Sequence, residues 1–337
     1  MRYLAKAVSA IALLAISQTS VSVASEKINV GVLNVASINA WISEAEGIWK
    51  EQGLDVKINR FSSGATVNEA LLAGGIDFGY IGFGPALFAA SRNLPFVYVA
   101  NGAYTDQGSA TNAIVVAKNS SIKSMKDLDG KTVAVQTKGT IEHIIAADLS
   151  EQAGISINLR EIPLGQQEVA LSRGDVDAVS AHTPQTEYMT KIRGHRAIEF
   201  VPNQKIPNFQ IITLATRRQY AEKNPDIVVK MTKAYILTNR WISEHPDEAK
   251  KIISTKYLNY DDALANAMVT LKWPKNGGAL LSSLNYFSKQ MEKLKLIGEV
   301  PPLKNYFVDD YLQKALLDLK PVPDPDFDKA KAAKFPE

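Results

Sequence analysis

Residues 70–77 read Ala-Leu-Leu-Ala-Gly-Gly-Ile-Asp, and residues 170–177 read Ala-Leu-Ser-Arg-Gly-Asp-Val-Asp, one hundred positions further on. Both spell A-L-x-x-G-x-(I/V)-D: the end of a helix, a glycine to stop it, and the start of an apolar strand. Other matches follow in the same order, at or close to that offset. Glu51-Gln52 recurs as Glu151-Gln152, Pro85 has Pro184 as its counterpart, and the alternation Val30–Asn34 returns in pattern at Val133–Thr137. Four matches in order define two copies of one unit, too few for a solenoid.

Each copy parses alike. In the first, strands are expected at Ile28–Asn34, Val56–Phe61 and Ile76–Ile81, with helices at Ala40–Gln52 and Thr66–Ala73 between them. In the second, the strands are Thr132–Gln136, Asn158–Ile162 and Val176–Ala181, and the helices Ile141–Ala153 and Gln166–Ser172. Strands alternating with helices through short loops give parallel βαβαβ sheets with helices on both faces. Further strand-like runs at Phe96–Ala100, Asn112–Ala117 and Phe209–Ala215 bracket the second copy, as crossings to a second lobe and back require. From Pro225 the chain reads as helix: Pro225–Glu244, Pro246–Ser254, Tyr260–Thr270 and Ala279–Leu296. The proline- and charge-rich tail from Pro321 is expected to wrap the surface or fray. The fold class is therefore α/β, two doubly wound lobes around a cleft. Residues 25–116 open lobe 1, residues 117–207 form lobe 2, and residues 208–337 return to lobe 1.

Composition narrows the function. The chain has 337 residues, 46% apolar and 22% charged, as a globular protein does. It has no cysteine, which removes disulfides, thiolate nucleophiles and cysteine-based metal sites. Lys+Arg of 38 against Asp+Glu of 35 is too balanced for a nucleic-acid binder. Residues 1–24 read as a secretory signal peptide: Arg2 and Lys6, then the short apolar run Ala7–Ile16, then Ser22 and Ala24 at the −3 and −1 positions of a cut before Ser25. No cysteine follows the run, so no lipid anchor is expected. Cleavage would leave 337 − 24 = 313 residues with 36 basic and 35 acidic groups.

Ligands of open α/β sheets bind beyond the carboxyl ends of the strands. The loops there are small and polar. Thr137-Lys138-Gly139-Thr140, ahead of a helix, reads either as an anion seat or as a hydroxyl N-cap with a turn glycine. Trp41 either stacks on a ligand or packs its helix onto the sheet. Phe83, between Gly82 and Gly84, is expected at the ligand. His182 either bonds a ligand or ends its strand, and Asn208 and Gln210 are candidate donors at the return crossing. Asp77 and Asp177, at one repeat position, are expected to be structural. The four histidines show no metal-ligand spacing, Gly82-Phe83-Gly84 lacks the third glycine of a dinucleotide fingerprint, and no G-x-S-x-G elbow occurs.

Five segments carry a resemblance: GLDV at 53–56, ALLAGGIDFGYIGFGPAL at 70–87, IKSMKDLDGKTVAVQTKGT at 122–140, ALSRGDVDA at 170–178 and NPDIV at 224–228. In this order they resemble the substrate-binding proteins of ABC importers for alkanesulfonates, taurine and nitrate, related to the thiamine-pyrimidine-precursor family. The resemblance implies a type II periplasmic binding protein fold. It implies ligand contacts at Ser37, Asn39 and Trp41, at Gly82, Phe83 and Gly84, and at Gly139 with Thr140. It further implies a periplasmic, non-catalytic monomer without cofactor or metal, which hands a small sulfonate-like organic anion to a membrane permease and its ATPase. A neutral pyrimidine or other heterocycle, or a small carboxylate, is the alternative ligand. A pyrimidine-synthase-like enzyme on this scaffold is disfavoured because those relatives carry a cysteine-rich motif; a sensor presented to a chemoreceptor stays open. The sequence departs from the pattern at Ala181-His182-Thr183-Pro184, where many relatives have an aromatic-rich segment, and its cleft loops hold no arginine for a bidentate clamp.

Overall fold

The computed structural model describes residues 26–33, 37–108, 111–201, 206–257 and 262–335. The expected signal peptide, the strand end at Asn34 and the helix start at Tyr260 lie outside them.

The repeat is visible down to single hydrogen bonds. At the end of the Gly64–Ala73 helix, Gly74 turns left-handed (φ 77°), and Gly75 N–H donates to the Ala70 carbonyl at 2.9 Å. At the end of the Leu164–Arg173 helix, Gly174 does the same (φ 79°), and Asp175 N–H donates to the Ala170 carbonyl at 2.9 Å. Only glycine takes that conformation without strain. The aspartate closing each motif then fixes the sheet: Asp77 Oδ2 accepts from Asn29 N–H, and Asp177 Oδ2 accepts from Thr132 N–H, each at 2.9 Å. Both aspartates are structural, as expected.

The strands are β1 (Glu26–Leu33), β2 (Leu54–Phe61), β3 (Phe78–Gly82), β4 (Phe96–Asn101), β5 (Tyr104–Thr105), β6 (Asn112–Val116), β7 (Thr132–Val135), β8 (Asn158–Glu161), β9 (Ala178–His182), β10 (Arg196–Val201), β11 (Phe209–Gln210) and β12 (Ile212–Arg217). They form two five-stranded sheets of one plan, β2-β1-β3-β12-β4 and β8-β7-β9-β6-β10. In each, the three βαβαβ strands are parallel, and the fourth and fifth positions bring in an antiparallel strand and its neighbour. The fourth strand in each sheet adjoins a crossing. β6 pairs with β9 and β10, so the chain has entered the second sheet by residue 112, not after 116 as the sequence suggested. Its apolar run Ala113–Val116 gives no sign of which sheet it joins. Between the sheets, β5 and β11 pair as a two-stranded antiparallel ribbon that carries both crossings.

Other differences are local. The helix expected over Ala40–Gln52 divides into Ile38–Ala45 and Ile48–Glu51 around Gly47, which is left-handed at φ 71°. The tail is not frayed throughout: Asp324 caps a Pro325–Lys331 helix, and Ala330 is buried against Tyr104 and Leu280.

The core is continuous across the two sheets. One apolar cluster runs from Val67, Phe83 and Leu87 of the first through Ile114, Val133 and Ile144 of the second to Leu284 and Phe287 near the C-terminus. One face of the Ile141–Ala153 helix forms the seam. A Cβ on Gly84 would overlap the Gly139 carbonyl oxygen, and one on Gly139 (φ 81°) would overlap the Phe88 ring. Further along that face, Tyr286 O–H reaches both Asp148 carboxylate oxygens at 2.9 Å, and Lys293 pairs with Glu151. Backbone meeting backbone leaves no flexible group to move aside. Gly84→Ala is therefore expected to destabilise the protein by about 1–3 kcal/mol in denaturant unfolding and to enlarge its radius of gyration. Gly165→Ala, where no atom lies within 4 Å of the added methyl, should leave both unchanged or raise stability slightly.

Candidate functional site

Several of the residues singled out from the sequence are committed to packing. Ser37 Oγ accepts from Leu33 N–H at 2.8 Å, which ties it to the end of β1. Asn39 is fully buried and donates to Asn239 Oδ1 (2.6 Å) and the Tyr235 carbonyl, fastening its helix to Pro225–Glu244. Trp41 is 1% exposed, stacked on Tyr257 at 4.7 Å, with the Arg60 guanidinium over its other face. Phe83 is 2% exposed and packs on Phe287 and Phe209. Phe83 opens the Phe83–Ser91 helix with its ring in the core, whereas the sequence expectation sets it at the ligand. Gln210 uses both ends of its amide, on Asn101 Oδ1 and Leu280 N–H, and Asn208 donates to the Ala330 carbonyl. These two anchor the C-terminal segment.

The Thr137–Thr140 turn is largely closed on itself. Gly139 N–H donates to His143 Nδ1 (2.7 Å), Thr140 Oγ1 donates to the Thr137 carbonyl (2.9 Å), and Thr137 Oγ1 donates to Glu161 (2.6 Å). Neither reading of the turn is met by its hydroxyls, since Thr140 Oγ1 caps no helix N–H either. The structure brings Gly139 against Gly84 and sets Gly82, half-buried, beside the Ile211 carbonyl.

A cluster that the sequence reading only touched, at His182, stands at the rim of the second sheet. His182 ends β9, and its ring is in contact with Glu142, in the first turn of the Ile141–Ala153 helix. Asn112 is its register partner on β6. Thr183 follows it, and Glu187 accepts from Val269 N–H at 3.1 Å through Oε1. All but His182 are at least nine-tenths buried. Asn112 Nδ2 has no hydrogen-bond partner, and the Thr183 hydroxyl lies against the Glu187 carboxyl group. Burial alone would lower the His182 pKa, but the Glu142 carboxylate outweighs it and holds the imidazole protonated above its usual range. For Glu142, burial pushes upward and the His182 charge wins, leaving the carboxyl below its usual range. Burial pushes Glu187 up. The sequence did carry a signal for Glu142: it lies at i−3, i−4 and i−7 to Ile145, Ala146 and Leu149, on the buried stripe of its helix.

A small pocket, about 30 Å³, lies between the lobes beside this cluster. Ile38 contributes from the rim of the first sheet and Thr183 from the second; Ile242, Ile253, Leu271 and Trp273 supply apolar wall, and Lys250 a cation. The 262–273 segment crosses to the second lobe, held by the Glu187–Val269 bond and by Lys191 Nζ on the Ala267 carbonyl. Among the described residues no group of three acidic or histidine side chains is placed to hold a metal ion, and no helix is long and apolar enough to cross a membrane.

Residues 34–249 match the model of the family described as NMT1/THI5 like. The chain belongs to that family. Among NMT1/THI5-like relatives it is 27% identical over 226 residues to a Bacillus subtilis protein provisionally named for binding aliphatic sulfonates, covering 66% of this chain and 65% of the other. It is 27% identical over 216 residues to the taurine-binding periplasmic protein of Escherichia coli, covering 62% and 64%. The chain thus spans just under two thirds of either relative. Its fold matches the crystal structure of the periplasmic aliphatic sulphonate binding protein SsuA of Escherichia coli, with a TM-score of 0.69 at 19% identity, over 86% of this chain and 99% of that one. The two-lobed α/β architecture of the NMT1/THI5-like chain is that of periplasmic binding proteins.

The Glu142–His182 pair has a testable pH signature. Glu142, with its folded pKa lowered, stabilises above its unfolded value near 4.5, and this is lost as pH falls through the folded pKa. His182, with its folded pKa raised, stabilises fully below its unfolded value near 6.5, and this is lost as pH rises through the folded pKa. The stability advantage of the wild type over Glu142→Gln should therefore be largest between those two values, about 2–4 kcal/mol, and shrink on either side. Urea unfolding of both proteins from pH 3 to pH 9 measures it; a difference that does not vary with pH would refute the pairing.

Proposed function

We propose that this chain is the solute-binding component of an ABC importer, capturing a small organic anion, sulfonate-like, between its lobes and presenting it to a permease and its ATPase. The observation that carries the reading is the placement of the pocket. It lies where the rims of two equivalent sheets face each other, Ile38 on one and Thr183 on the other, the position at which open α/β sheets bind ligands. The names of the relatives, for aliphatic sulfonates and for taurine, support the ligand class. Capture needs no chemistry. A ligand that touches both rims stabilises the closed arrangement by its differential affinity for it. Gly82, Gly84, Gly139, Thr140 and His182, around the meeting of the rims, are the proposed contacts. The Thr140 hydroxyl and Gly139 N–H must exchange their internal partners to take part.

The signal-peptide reading of residues 1–24 supports a periplasmic location. The names of the relatives, which are those of binding proteins, support binding without turnover. The test is a thermal-shift screen of refolded, ligand-free protein against sulfonates, nitrate, carboxylates and pyrimidines. A ligand at 100 times its Kd adds about 2.7 kcal/mol, so a sulfonate should raise the melting temperature by several degrees while nitrate does not. A shift with nitrate alone, or with pyrimidines alone, would overturn the organic-anion assignment.

A further inference from the structure

We infer that residues 321–335 are a strap over the hinge, holding both chain crossings in place and limiting how far the lobes swing apart. The inference goes beyond ligand capture and does not depend on it. The chain changes lobes twice, between β4 and β6 and between β10 and β12, and both passages run through the β5–β11 ribbon. That ribbon pairs Tyr104 with Gln210 and Thr105 with Phe209. Two such short strands are marginal on their own in water, and a hinge is the short stretch that absorbs the φ/ψ change when domains rotate. Here all four residues are buried, and so is Asn208 beside them. A hinge buried in this way cannot bend without disturbing what covers it.

Residues 321–335 supply much of that cover. The Phe327 ring meets Tyr104 edge-on at 5.5 Å, and Ala330 packs with Tyr104 and Leu280. Asn208, where the chain arrives from the second sheet, donates to the Ala330 carbonyl at 2.9 Å. The start of the segment is tied to lobe 1 instead. Asp324 Oδ2 accepts from Lys275 N–H at 2.7 Å, and Val322 and Asn276 exchange hydrogen bonds at 2.8 and 3.0 Å. This stretch adjoins β4, since Asn101 N–H donates to the Gly277 carbonyl at 3.0 Å. Asp326 pairs with Lys272 Nζ at 2.8 Å, and Lys272 exchanges backbone hydrogen bonds with Tyr104 of the ribbon. Beyond the Pro325–Lys331 helix, the Phe335 ring lies 5.0 Å from that of Tyr286, whose hydroxyl donates to Asp148 of the second lobe. One short segment thus grips lobe 1, the ribbon and, through Tyr286, lobe 2. Rotating the lobes about the ribbon pulls these grips apart, so each contact in the segment resists the motion.

Spin-label distances test this on the ligand-free protein, and the absence of cysteine makes the labelling specific. Glu69→Cys and Val169→Cys place labels at equivalent, exposed positions of the two lobes, while Lys118→Cys with Val169→Cys gives a pair inside the second lobe. Ending the chain after Lys320 should shift and broaden the interlobe distance distribution by several ångströms and leave the pair inside the lobe unchanged. Asn208→Ala combined with Phe327→Ala should act in the same direction to a smaller extent, and carries the test if the shortened chain does not fold. An interlobe distribution that neither shifts nor broadens in a folded variant would overturn the inference. So would broadening of the pair inside the lobe along with it, because the segment would then hold the fold rather than the hinge.

Discussion

Two backbones touching at Gly84 and Gly139 set the geometry on which everything else rests. One is the turn after β3 in the first sheet, the other the turn before the Ile141–Ala153 helix in the second, and any side chain at either point would push the lobes apart. Because contact is made at the glycines, the rest of each rim, Ile38 in one lobe and Thr183 in the other, is held close without meeting, and the pocket is the space left over. The Asp148–Tyr286 hydrogen bonds and the Glu151–Lys293 pair extend the seam along the same helix face toward the C-terminus. That helix thus acts as a fixed edge, and the crossing ribbon of β5 and β11 as the second tie between lobes.

The electrostatics of the cleft qualify its chemistry. An anion seat made only of helix N-terminus and hydroxyls would have left the Thr137–Thr140 hydrogen bonds free. Instead they are spent within the turn, and a buried carboxylate stands two residues further on. His182 restores neutrality for Glu142 alone.

What the sequence made legible follows from how each feature is encoded. The helix stop, the positive-φ glycine and the strand-fixing aspartate are local and repeat one hundred residues apart, so the βαβαβ unit could be read twice, with Asp77 and Asp177 correctly structural. The sheet that β6 joins could not be read, because the apolar run Ala113–Val116 is compatible with either core. Side-chain destinations were the weakest part. Trp41 and Phe83 lie at the starts of helices that follow β1 and β3, yet desolvating a large ring against Tyr257 or Phe287 places them in the core. Asn208 and Gln210 read as candidate donors at the return crossing and Asn39 as a contact implied by the resemblance, but their partners lie 70 or more positions away in sequence and no local pattern announces them. Glu142 was marked by its place on a buried stripe, and Glu187 by nothing that a single sequence displays.

Hydrogen exchange with and without a compound that raises the melting temperature tests the central claim most directly, because it locates the ligand rather than merely detecting it. Capture between the lobes predicts slowed exchange on both rims at once, in 37–41 and 82–84 of the first lobe and 139–143 and 182–187 of the second, together with the 267–273 segment that bridges them. Protection confined to one lobe, or to the outer groove around Arg160 and Arg173, would contradict it.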